Sequence, residues 1–202
     1  MEKVRRVVFK EDSWTHRLLF AAAWFVVSLL TCLAGLTFGN KFVFWSFDIG
    51  LGPVGWITVG FYPGLLISIS QGVLLRLRNP KMPLLTWVIG ISAIYLLLSW
   101  IGYLSLGAIF IAPLLGFQGI TLQGFFSVRL LYYWIVTGLG LALAYNYYGL
   151  LLFFNFLSEP EVIDQSAVNF ASMIFAIGTT LGILFIGQKD ESQTVLPNEP
   201  AQ

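Results

Sequence analysis

The sequence predicts an all-α integral membrane protein, a bundle of about six transmembrane helices, and three observations carry that expectation. Of 202 residues, 57% are hydrophobic and only 10% are charged, against roughly 25% charged in an ordinary soluble domain. The charges gather in short clusters that leave uncharged runs from Leu18 to Asn40, Ile49 to Leu75, Met82 to Val128, Leu130 to Ser158 and Gln165 to Gln188. Each run can hold a helix of about 20 residues, the length that crosses the hydrocarbon of a bilayer, and the third can hold two. With six crossings and a cytoplasmic amino terminus, only Lys41 of the eleven Lys and Arg residues falls on the far side, which is the bias expected of cytoplasmic loops.

Residues 1–17 form a basic cytoplasmic segment, residues 18–188 the transmembrane domain and residues 189–202 a polar tail expected to be disordered on the cytoplasmic side. The first helix is predicted from Leu18 to Gly39, opening on Ala21 to Ala23 and closing on Gly35 and Gly39. Small residues four apart let a second backbone come close, a common packing device in membranes. A loop from Asn40 to Pro53 follows. The second helix, Val54 to Leu77, carries Gly60 and Gly64 around Pro63, where a kink is expected. Arg76, Arg78 and Lys81 flank the turn Asn79-Pro80. The third helix is placed at Leu84 to Tyr103 and the fourth at Leu106 to Leu122, where Pro113, Gly116 and Gly119 leave a re-entrant segment as an alternative. The fifth, Val128 to Phe156, is longer than a straight crossing needs, and an acidic loop leads to the sixth, Ala167 to Gly187, with Gly178 and Gly182 again four apart.

A pattern recurs after 47 residues: Gln71-Gly72 precedes Trp87 as Gln118-Gly119 precedes Trp134, Gln and Trp lying sixteen positions apart in both. This reads as a tandem two-helix repeat in one orientation. The corner Gln71-Gly72-Val73-Leu74-Leu75-Arg76 followed by Trp87 resembles an element of uncharacterised polytopic membrane proteins of cyanobacteria, in which a Gln-Trp-x-x-Leu-Arg corner precedes a Trp-initiated helix. Here Gly72 stands where that pattern favours Trp, and Gln123 replaces the Arg in the second copy. The resemblance implies a bacterial plasma membrane or thylakoid location and no particular activity. Chain length and span count also resemble the substrate-binding membrane subunits of energy-coupling-factor vitamin transporters, with Ala21 to Ala23 similar to the small residues by which their first helix docks a partner.

Catalysis inside a membrane draws on carboxylates, histidines or basic groups held there, and no such group lies between the predicted helix ends. The lone His16 and the lone Cys32 assemble no zinc or haem site, no nucleophile elbow is present, and the near-zero net charge offers no nucleic-acid surface. No enzyme, cofactor or metal is therefore expected. Gln71 and Gln118 are predicted to turn into the bundle and to find partners on neighbouring helices, with ligand contact as a second role beside Pro63. The reading that follows is a non-catalytic assembly, scaffold or regulatory subunit acting through helix contact with another membrane protein or a further copy of itself. The alternative is a binding or transport subunit for a neutral lipophilic or aromatic small molecule. Gly35, Gly39, Gly60, Gly64, Gly178 and Gly182 are the candidate packing positions.

Overall fold

The computed structural model describes residues 13–102, 107–158 and 165–188. The expected charged turn at 159–164, the tail from 189 and residues 1–12 lie outside them. Within them the chain forms α1 (Trp14–Asp48), α2 (Gly52–Arg78), α3 (Leu84–Gly102), α4 (Gly107–Phe125), β1 (Phe126–Ser127), α5 (Leu130–Ser158), α6 (Gln165–Ile183) and β2 (Gly187–Gln188). Leu is the commonest residue in these helices, followed by Gly, Phe and Ile, and the proline interruptions are few, so the backbone bonds are met within each segment. One stretch among the described residues, Trp14–Gly39, is long and apolar enough to cross a membrane by length and composition; shorter apolar stretches lie at Leu84–Leu97, Leu130–Ala144 and Val168–Ile183.

The helix boundaries correct the sequence reading in three places. Trp14 to Arg17, with His16 among them, begin α1 rather than preceding it, and α1 continues to Asp48 where a loop from Asn40 was expected. Its turn into α2 is confined to residues around Gly50, whose φ of 77° lies in the left-handed region that glycine enters without steric cost. At the other end of the chain α6 stops at Ile183, and Gly187–Gln188 form a short strand instead of a last helical turn. Pro63 lies inside α2 and Pro113 inside α4 without ending either helix, so α4 is a full helix and not a broken hairpin.

Each helix packs on its neighbours in sequence, and α6 returns to α1, so the six helices close a ring. Short connectors force alternating directions, which brings the start of α1 and the end of α6 to the same end as the α2–α3 and α4–α5 turns. That end is tied by polar contacts. Asn79 accepts from the Lys81 amide at 3.0 Å in a tight turn and donates through Nδ2 to the Phe125 carbonyl at 2.9 Å. The Arg78 guanidinium is buried, donates to the Ile186 carbonyl at 2.8 Å and lies 4.6 Å over the Phe20 ring. β1 pairs antiparallel with β2, Phe126 opposite Gln188. Trp14 meets Phe185 edge-on at 6.1 Å, with Tyr132 on the same ring at 4.9 Å. The core beneath consists of Phe20, Leu75, Met82, Leu122, Phe126 and Ile186, all nearly inaccessible.

Candidate functional site

Both halves of the 47-residue pattern form the same contact. Trp87 at the start of α3 lies against Gly72 of α2, and Trp134 at the start of α5 lies against Gly119 of α4. A Cβ on Gly72 would sit 2.9 Å from Trp87 Cδ1, and one on Gly119 would sit 2.5 Å from Trp134 Nε1. Only glycine admits an indole so close to a helix backbone. In both corners a leucine near the start of the following helix completes the seat, Leu84 in one and Leu130 in the other. The repeat read from spacing is thus a repeat of packing.

The two glutamines precede these glycines and point inward, Gln71 at 1% and Gln118 at 5% exposure. Gln71 Nε2 donates to Ser28 Oγ of α1 at 3.0 Å, and Gln118 Oε1 accepts from the Tyr133 hydroxyl of α5 at 2.9 Å. Each glutamine therefore bonds across a helix pair, as its two donors and one acceptor require away from water. Cys32 stands one helical turn beyond Ser28, buried beside Ser172 of α6, and Tyr95 of α3 lies within electrostatic reach of Cys32 and Tyr133. Thr137 stands one turn beyond Tyr133 on α5. Every helix of the ring thus sends at least one uncharged polar side chain into the interior.

This belt is only partly satisfied by the chain. Ser68 and Ser92 join α2 to α3 at 3.0 Å, and Thr179 donates to its own helix at Phe175, the common fate of hydroxyls in apolar helices. Gln71 Oε1, Thr137 Oγ1, Ser172 Oγ and the indole nitrogens of Trp24 and Trp87 meet no hydrogen-bond partner among the described residues. Ser172 neighbours the Cys32 thiol and Thr137 the Tyr133 hydroxyl, but neither pair meets at hydrogen-bonding geometry. Burying such groups unmet is costly, and each of these atoms departs from the usual pairing of buried polar groups.

The packing glycines are spent inside the ring. Gly35 of α1 receives Pro63 of α2, which accounts for both candidates at once; Gly64 receives Tyr95, Gly182 receives Thr137 and Tyr133, and Gly178 meets Gly140 of α5 backbone to backbone. Gly39 is buried. Gly60 lies within α2, and its surroundings fall outside the described residues. Open glycines occur instead on α4, where a Cβ at Gly116 or Gly124 would meet nothing within 4 Å. Sequence reasoning passed over Ser28, Cys32, Tyr95, Tyr133 and Ser172 as interior groups, and Gly140 as the partner of Gly178. The spacing of Trp24, Ser28 and Cys32, four apart along one face, was a signal for the first two.

Among the described residues no three His, Cys, Asp or Glu side chains gather as a metal site. No family model, curated protein or solved structure matches the chain.

Proposed function

We propose that the chain crosses the membrane six times, with its basic end cytoplasmic, and works without catalysis as a binding or transport subunit for a neutral lipophilic or aromatic small molecule. The observation that supports this reading is the sorting of side chains across the ring. Most outward positions are apolar, with Leu85 at 72% and Leu131 at 71% exposure, and the exposed polar ones such as Thr86, Gln123 and Gln165 lie near helix ends, while uncharged polar groups from all six helices face inward and several lack a partner. Water would favour the opposite arrangement; a bilayer favours this one. Even the shortest helices, at 19 residues, reach about 28 Å, close to the hydrocarbon thickness. No charged group stands in the belt to work on a substrate, and a neutral interior suits a neutral guest.

Native mass spectrometry after purification in mild detergent tests the reading. A stoichiometric small molecule retained by the wild type and lost from a folded Gln71→Leu, whose melting temperature falls only by what the lost Ser28 bond costs, is expected; a ligand-free wild type that also binds no neutral aromatic probe would sink it.

The assembly-subunit reading keeps one observation of its own. Ala112, Pro113 and Gly124 are exposed on α4, and with the open Gly116 they leave small residues on either side of the exposed Ile120, an outward stripe against which another helix could lie. If Gly116→Leu strips a co-purifying membrane protein while Gln71→Leu keeps it, this second role is the one to keep.

A further inference from the structure

We infer that the outer surface where α6 meets α1 and α5 is a binding site for an anionic phospholipid at the basic end of the bundle, its phosphate held by Arg17 and Arg129 and an acyl chain laid along the exposed faces of α1 and α6. The inference rests on the six-span reading above and not on what the interior holds.

Contacts across three helices build the site. The Phe185 ring, just past the end of α6, meets Trp14 of α1 edge-on at 6.1 Å and Tyr132 of α5 edge-on at 4.9 Å. The Tyr132 hydroxyl donates to the Leu181 carbonyl, one turn earlier on α6, at 3.4 Å. The three rings thus form one ladder, and it faces outward, with Trp14 at 59% and Phe185 at 39% exposure. Trp14 opens α1, Tyr132 stands in the first turn of α5 and Phe185 follows the last turn of α6, so all three lie at the same end of the bundle. Where hydrocarbon gives way to headgroups is the position that Trp and Tyr favour.

A cation accompanies each outer ring of the ladder. The Arg17 guanidinium lies 5.6 Å over the Trp14 ring. Arg129 is exposed three residues before Tyr132, and its carbonyl accepts the Tyr133 amide at 2.9 Å, so its backbone already joins the first turn of α5 and its side chain neighbours Tyr132. The one carboxylate among the described residues, Asp48, stands at the far end of α1. The charge that the described residues bring to this end is therefore wholly positive. Guanidinium groups match the oxygens of a phosphate in pairs, and basic residues beside the bilayer attract anionic lipids. Leu18, four after Trp14, and Leu181, four before Phe185, are both exposed and carry the two faces on toward the hydrocarbon. Charge selects the head and the apolar faces receive the tail; a zwitterionic lipid, which brings a cation of its own, gains less.

Native mass spectrometry of the full chain released from nanodiscs of mixed phosphatidylglycerol and phosphatidylcholine reads the site. The wild type is expected to keep phosphatidylglycerol in preference to phosphatidylcholine, and Arg17→Gln or Arg129→Gln to lower that preference by about fivefold each, the usual effect of one basic residue beside an anionic lipid surface. Arg76→Gln combined with Lys81→Gln removes charge from the same end but on the α2–α3 turn, outside the arc of α5, α6 and α1, and should leave the preference within about twofold because distant charges are screened. Equal retention of the two lipids by the wild type would overturn the site while leaving six spans standing, and so would an equal loss from the Arg76 and Lys81 variant. Extraction of the wild type from vesicles by alkaline carbonate would overturn the six-span reading and the site with it. The wild-type competition decides the matter even if a variant fails to fold.

Discussion

Gly178 and Gly140 touch through their backbones, so any side chain at either position must push α5 and α6 apart. Gly178→Leu is therefore expected to lower stability by about 1–3 kcal/mol, the usual range for overpacking. At Gly116, where an added side chain meets nothing within 4 Å, the same change should stay within about 0.5 kcal/mol; thermal melting in detergent separates the two. The hydrogen bond between Tyr133 and Gln118 gives a second check at this scale. Tyr133→Phe and Gln118→Leu should each cost about 1 kcal/mol and together less than their sum, because either one removes the same bond. The glutamines were legible in the sequence because a long amide in an apolar run must find a partner. Tyr133, Tyr95 and Ser172 were not, since whether a residue points inward depends on how its helix is turned in the ring. Helices apolar on nearly every side carry little periodicity to reveal that turn.

Helix existence was legible from the uncharged runs, and helix ends were less so. Asn40 and Lys41 interrupt the apolar run without ending α1, because neither residue breaks a helix and Gly50 supplies the first conformation that does. The end of α6 was hidden for a different reason. Gly187–Gln188 become a strand only because Phe126–Ser127, about sixty residues earlier in the chain, pair with them, and no local propensity encodes that meeting. Arg78 fastens the same region. It looked like one member of a basic cluster, but it is buried, bonded to the Ile186 carbonyl and stacked on Phe20. Arg78→Gln should cost about 2 kcal/mol through loss of a charge-assisted bond, whereas Arg76→Gln, exposed on the same turn, should be nearly neutral. A melting comparison of the two variants tells a fastening role from a simple contribution to loop charge.

At the scale of the molecule, the alternation of helix directions and the position of the basic residues agree. Arg17, Arg78, Lys81 and Arg129 all lie at the end where α1 begins and α6 finishes, and loops rich in Lys and Arg stay in the cytoplasm. On the proposed topology, single cysteines at residues 80 and 127 should resist a membrane-impermeant maleimide in intact cells, and one at the exposed Leu51 should react. The native Cys32 is buried and will not obscure the result. Labelling at 127 from outside would mean that α4 and α5 do not cross as a pair, and would remove the shared orientation of the two corners.

The contact of α6 with α1 gives the ring no natural starting point. Trp14 and Phe185 meet at the basic end, so a linker could join the first helix to the last, and the chain could be opened at Asn79-Pro80 instead. Such a circular permutant would begin with α3 and finish with α2, and its new termini would still emerge at the basic end of the bundle. Its six helices would be made in a rotated order and yet have the same neighbours to find. If that permutant recovers the melting temperature of the parent, the order of the helices along the chain is not part of the information that specifies the fold.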